Sequence, residues 1–105
     1  MLHEDRVFRA LADPSRRAIF EQLTRGEAAV RDLTPRFDIS QPAVSQHLAV
    51  LKDAGLVRER REGRLAYYRV EPKGLRPLVD WIAHYQAFWT ERIASLQQLL
   101  EEMDE

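Results

Sequence analysis

A mainly α-helical domain carrying one β-hairpin and ending in a long helix is predicted by three features of these 105 residues. Apolar residues recur every three to four positions up to residue 55. The period drops to two over residues 56–70, and helical spacing returns from residue 75 as a heptad repeat. Apolar residues make up 45% and charged residues 31% of the chain, with only four glycines and five prolines, which fits one globular domain over 1–105.

The first helix is predicted over His3–Ala12, where Val7, Phe8, Leu11 and Ala12 share a face. Asp13-Pro14 restarts the chain as an N-cap followed by proline at the first helical position, and Ala18, Ile19 and Leu23 carry a second helix until Gly26. A third runs from Ala28 to about Arg36, with Pro35 arguing that it is short. Asp38-Ile39-Ser40 is a turn. Ser40 is a good N-cap for a fourth helix with Pro42 in its first turn, a buried stripe of Val44, Leu48 and Leu51, and a stop at Gly55. Two helices around a short turn make a helix-turn-helix. Leu56–Arg61 and Leu65–Val70 then read as two strands around Glu62-Gly63-Arg64, a hairpin of the wing type. The predicted class is therefore a mainly α winged helix-turn-helix.

Leu75–Glu102 reads as a single long helix. Positions 75, 82, 89, 96 and 103 are Leu, Ile, Trp, Leu and Met, and Leu78, Tyr85 and Leu99 form the companion series, broken only at Arg92. A helix of that length spans about 42 Å, whereas a compact domain of this size is roughly 35 Å across. Part of the apolar stripe overruns its own domain, and the same helix from a second copy is the simplest cover. Leu75, Leu78, Ile82, Tyr85, Trp89, Ile93, Leu96 and Leu99 are thus the expected homodimer interface. Residues 1–72 form the expected DNA-binding core and residues 73–105 the dimerisation helix.

The net charge of −1 conceals an asymmetry. Residues 1–70 carry 13 Lys/Arg against 10 Asp/Glu, while residues 71–105 carry 3 against 7. A polyanion would meet the middle of the chain and avoid its end. On the fourth helix, Gln41, Ala43, Ser45, Gln46 and Ala49 face outward, with His47 at the boundary. Glutamine can bond bidentately to adenine, serine can donate or accept, and alanine can meet a thymine methyl, so this acid-free face suits the DNA major groove. Arginines one hairpin away can reach phosphates or the minor groove. Ser45 and Gln46 are the leading base readers, followed by Gln41 and Ala43. Arg61 and Arg64 are the backbone or minor-groove contacts, and Ser40 caps the helix and aims its N-terminal amides at a phosphate. An alternative is a protein-interaction module using the wing or the long helix; the basic cluster at residues 58–64 favours DNA.

The run Ser40-Gln41-Pro42-Ala43-Val44-Ser45-Gln46-His47-Leu48, within Asp38–Val57, closely resembles the helix-turn-helix of the arsenical-resistance-repressor (ArsR-type) family. Ala10–Arg17 resembles that family's opening, and Arg61-Glu62-Gly63-Arg64 with Tyr67-Tyr68 resembles its wing. The ending Trp81-Ile82-Ala83-His84-Tyr85, with Phe88, Trp89 and Arg92, is similar to a branch with a long last helix that includes autorepressors. The resemblance implies a dimeric bacterial repressor of double-stranded operator DNA that is released by an inducer. It also implies that His47 bonds backbone or phosphate rather than a base.

The family's thiol metal sites are absent, because the chain has no cysteine. Asp80 and His84 stand at a two-ligand spacing on one helix face, but no second histidine follows them, and a surface ion pair accounts better for Asp80. No metal site and no cofactor are expected. Trp81, Tyr85, Phe88 and Trp89 could line a pocket for an apolar inducer, although aromatics at helical spacing more often serve core and seam. Ser15, Ser40, Ser45 and Ser95 lack a glycine-flanked elbow, and histidines at 3, 47 and 84 form no catalytic set, so no enzyme is expected. Neither a leader-like apolar run nor a membrane-length segment is found, which places the protein in the cytoplasm.

Overall fold

The computed structural model describes residues 3–104, without the side chains of His3, Glu4, Ala87 and Trp89; the Trp89 position in the predicted seam therefore lies outside the described residues. Helices α1 (His3–Ala12) and α2 (Pro14–Leu23) are followed by a short strand β1 (Ala28–Ala29) and a single turn of helix, α3 (Val30–Leu33), which continues as a 3-10 turn over Thr34–Arg36. Helix α4 (Gln41–Asp53), strands β2 (Val57–Glu62) and β3 (Leu65–Val70), a 3-10 turn (Pro72–Leu75) and helices α5 (Arg76–His84) and α6 (Gln86–Met103) complete the chain. This is the mainly α winged helix-turn-helix expected from the sequence.

Local chemistry sets the boundaries. The Asp13 carboxylate accepts from the backbone N–H of Arg16 at 3.0 Å, with Pro14 starting α2. Arg16 Nε then reaches back to the Ala10 carbonyl at 2.8 Å, and Arg17 Nη1 to that of Leu11 at 2.8 Å, so two α2 side chains satisfy the open carbonyls of α1. At the end of α4, Gly55 adopts φ +79° while Leu56 N–H bonds the Leu51 carbonyl at 2.9 Å and Gly55 N–H that of Lys52 at 3.0 Å. That is a Schellman closure, which requires the left-handed backbone that glycine adopts without strain.

The core lies between α1, α2, α4 and the sheet. Val7, Ile19, Leu33, Val44, Leu48, Leu51 and Leu56 are fully buried, each burial being worth about 1.5–3 kcal/mol. The sheet is antiparallel in the order β1-β3-β2, with Ala28 opposite Tyr68 and Glu59 opposite Tyr68 on its other side.

The last helix differs from the expected single rod. It is interrupted at Tyr85, whose backbone turns to φ −105°, ψ 13° and whose N–H bonds the Ile82 carbonyl at 3.2 Å, three residues back. Neither glycine nor proline marks the break. The Tyr85 ring packs on Trp81 at 5.4 Å and on His84 at 4.8 Å, and this aromatic contact accompanies the tightened turn. Beyond it α6 projects from the domain with every described side chain exposed. The extents are 55 × 34 × 23 Å and the radius of gyration 17.2 Å, against about 13 Å for a compact chain of this length. Among the described residues no helix is long and apolar enough to cross a membrane.

Candidate nucleic-acid interface

Ser40 holds extended backbone at φ −73°, ψ 159°, and its Oγ accepts from the Ala43 N–H at 3.2 Å. Pro42 in the first turn needs no partner for its missing N–H. With Val44, Leu48 and Leu51 turned into the core, α4 leaves Gln41, Ser45, Gln46 and Ala49 exposed, and Ala43 and His47 half-buried. His47 is near enough to Asp13 for its charge to help hold that carboxyl below its usual range, a shift caused mainly by the Arg16 N–H. It belongs to the edge of the exposed face.

The wing closes with a two-residue connection, Gly63-Arg64, between the paired residues Glu62 and Leu65. Gly63 takes φ +61°, and no other residue type has positive φ among the described residues. Positive φ at the first central position alone fits a type II′ hairpin, whose twist matches that of the strands. This turn swings Arg64 back toward α4. Gln41 and Ser45 of α4, Arg31 of α3 and Arg64 of the wing line one open groove of about 200 Å³, floored by Ala29 and Ala66. Arg61 is the register partner of Ala66 and so projects from the same face of the hairpin.

Ion pairs sort the wing's basic residues. Arg60 bonds Glu27 at 2.7 Å and Glu62 at 2.6 Å, and its guanidinium lies 4.6 Å from the Tyr67 ring centroid. These bonds depress the Glu27 carboxyl and raise Arg60 further above its already high value. Arg58 pairs with Glu71 at 2.8 Å. Lys52 at 3.4 Å and Arg61 at 3.7 Å share Glu59, which also accepts from the Tyr68 hydroxyl. Among the described residues Arg64 makes no ion pair.

The structure thus brings Gln41, Ser45 and Arg64 to one groove and leaves Gln46 exposed on the neighbouring part of α4. Arg31 is a groove residue that sequence reasoning missed. Its side chain is 65% accessible, with Asp32 no nearer than 3.9 Å, and no local pattern marks it, because its place depends on how α3 meets the wing. Asp80 pairs with Arg76 at 3.3 Å, and no group of three or more His, Cys, Asp or Glu is gathered among the described residues.

A helical domain that presents an acid-free helix face beside an arginine-tipped hairpin is a winged helix-turn-helix DNA-binding protein. Comparison with known proteins narrows the class. Residues 13–59 match the family model described as bacterial regulatory protein, arsR family. The chain is 43% identical to the HTH-type transcriptional regulator Rv2034 of Mycobacterium tuberculosis over 92% of its own length and 88% of the relative's. It is 34% identical to the transcriptional repressor SdpR of Bacillus subtilis, over 75% of this chain and 88% of that one. The solution structure of the homodimeric winged helix-turn-helix DNA-binding domain Mb0332 from Mycobacterium bovis aligns with a TM-score of 0.66 at 34% identity, covering 81% of this chain and 82% of that one. The chain belongs to the arsR family of bacterial regulatory proteins, which are transcription regulators and not enzymes.

Proposed function

We infer that this protein is a cytoplasmic transcriptional repressor that binds a palindromic double-stranded operator as a homodimer and is released by an inducer. The observation that carries the reading is the shared groove of Gln41 and Ser45 with Arg64, the wing-tip arginine that no carboxylate neutralises. In this reading Gln41, Ala43, Ser45 and Gln46 meet base edges, Ser40 and His47 meet phosphate, and Arg61 and Arg64 clamp the backbone or minor groove. The repressing sense is supported by the kinship with SdpR.

Residues 1–72 bind DNA and residues 73–105 join the two copies. Leu75 spends its side chain on the domain's own core and Leu78 is half-buried. Ile82, Tyr85, Ile93, Leu96 and Leu99 are 40–54% exposed and supply the apolar surface for the partner. An isolated helix as short as α6 is marginal in water, so association also stabilises its helical state. Two-fold symmetry sets the half-sites about 10 bp apart, or a multiple of that turn.

Selection of bound duplexes from a random pool, followed by a gel shift on the winner and on the DNA upstream of the protein's own gene, tests the reading. The expected winner is an imperfect palindrome bound at least about a thousandfold tighter than random duplex. A pool that yields no preferred sequence, or a site without two-fold symmetry, overturns it.

A further inference from the structure

On the side of the domain where α5 packs on α1 lies a cleft of about 300 Å³, lined by Phe8, Pro77, Asp80, Trp81, His84 and Tyr85. The Phe8 ring meets Trp81 at a centroid distance of 5.9 Å and an angle of 73°, and Trp81 meets Tyr85 at 5.4 Å and 56°. His84 stands against Tyr85 at 4.8 Å and 88°. Rings inclined this steeply form walls around a space rather than a flat stack. Asp80 adds a carboxylate, whose ion pair is with Arg76 across a solvent-exposed helical turn. Such exposed pairs contribute little and are readily exchanged for another cation. Neither lysine nor arginine lines the cleft itself.

Aromatic rings present negative π faces, and a carboxylate beside them completes the chemistry that recognises a desolvated organic cation. The volume is at the lower end of small-ligand sites. We propose that this aromatic cleft between α1 and α5 binds a small organic ammonium cation. Its position also gives it a use. Tyr85 walls the cleft and is the residue at which α5 gives way to α6, so an occupant bears on the side chain whose backbone sets the direction of the projecting helix. Two copies joined through α6 would then hold their reading helices at a spacing that depends on occupancy. This regulatory use rests on the dimeric repressor reading; the binding site itself does not.

Choline and its uncharged isostere 3,3-dimethylbutan-1-ol are the probes, titrated into the full chain while the Trp81 indole N–H is followed by NMR and assigned with Trp81→Phe. Choline should shift that signal saturably with a dissociation constant below about 1 mM, and the isostere should bind at least about tenfold more weakly. Asp80→Asn, on an exposed side chain, should retain the fold and lose about tenfold in choline affinity. The absence of saturation, which is also what a cleft sealed by a second copy would give, overturns the proposal. So does equal binding of the isostere, or an Asp80→Asn variant as tight as the parent. In a gel shift with the selected operator, saturating choline should change affinity at least about threefold in the parent chain and not in Asp80→Asn. An unchanged parent affinity overturns the regulatory use. A chain that binds choline but no operator refutes the repressor reading and leaves the site standing.

Discussion

Gly74 packs directly against the carbonyl of Gly55. A Cβ at position 74 would collide with that oxygen, stand 2.7 Å from its carbon and lie 3.1 Å from the Cα of Leu56. All three are backbone atoms, and Gly55 is itself held at φ +79° by the closure of α4, so neither side can swing away. The contact fixes the chain leaving the wing to the end of the reading helix. Gly74→Ala should therefore cost about 1–3 kcal/mol through forced backbone displacement. A lowered urea midpoint with retained helical circular dichroism is the expected result, and a midpoint equal to the parent's would show that the two segments separate freely.

Glu59 and Tyr68 stand opposite one another in β2 and β3, and the phenol donates to the carboxylate Oε2 at 2.6 Å. The hydroxyl, helped by Lys52, holds the Glu59 carboxyl below its ordinary 4.5. Burial first, and then Glu59, pushes the Tyr68 phenol up to about 12. Each shift gives a sign. A depressed carboxyl contributes stability that is present above pH 4.5 and lost as pH falls through its folded value. A raised phenol contributes stability that is intact below its ordinary 10 and lost as pH rises through about 12. Tyr68→Phe should cost about 1 kcal/mol at pH 7, the usual net worth of such a bond when the acceptor keeps a second partner. In urea titrations the gap between parent and variant should narrow below pH 4, and a gap that widens there would contradict the assignment.

What the sequence makes legible here is local chemistry. Ser40 as cap, Pro42 in the first turn, Gly55 as closure and Gly63 in the hairpin each act within four residues of their own position, and the stripe of Val44, Leu48 and Leu51 follows from the helical period alone. The remainder depends on contacts between distant residues. Ala28–Ala29 is a strand only because Tyr67 and Tyr68, some forty positions on, offer it an edge; neither alanine favours strand by itself. Arg60 looks like any other wing arginine until Glu27 is found against it. Gly74 carries no turn signal, and its requirement is set entirely by Gly55. The interruption at Tyr85 escapes a period-counting argument because the apolar spacing continues through it unchanged. In the groove, the exposure of Gln41 and Ser45 follows from the helix, whereas their meeting with Arg31 and Arg64 is a property of the assembled domain.

Dimerisation through the last helix predicts the behaviour of Leu96→Glu combined with Leu99→Glu. Both leucines are more than half exposed on α6, and in a two-fold seam the pair would place four unpaired carboxylates where apolar contact is expected. Sedimentation should show monomer. Helical signal from α6 should fall as well, since a helix of this length is marginal alone, while the core formed by α1, α2 and α4 should melt near the parent's temperature. A variant that stays dimeric with full operator affinity would move the interface elsewhere.

Metal independence follows from the charges around Asp80. Its carboxylate is paired with Arg76 at 3.3 Å, His84 packs on Tyr85, and no third ligand stands with them among the described residues. Zinc added to the protein should leave operator affinity within about threefold, or ~0.7 kcal/mol. A tenfold loss that disappears in Asp80→Ala would show that the two residues form a working site after all.

Reader and clamp should separate by mutation. Gln46 is exposed on α4 without an ion pair to hold it, so in the proposed complex its amide is available to a base edge. Gln46→Ala should then cost about 1–3 kcal/mol per half-site and relax preference at one symmetric pair of operator positions, with the salt dependence unchanged. Arg64 stands at the hairpin tip across the groove from Gln41 and Ser45, and its charge is available for phosphate. Each lost phosphate contact reduces the slope of log affinity against log salt by about 0.9, and a dimer loses two, so Arg64→Ala should lower the slope by nearly 2 and keep most of the specificity. Arg60→Ala is the control: its guanidinium is already committed to Glu27 and Glu62, so its loss should weaken the wing's stability more than it changes the slope. Binding titrations at four or five salt concentrations on operator and scrambled duplex distinguish these outcomes. Uniform weakening by Gln46→Ala on all sequences, or an Arg64→Ala variant with altered base preference and the parent's salt slope, would reverse the two roles.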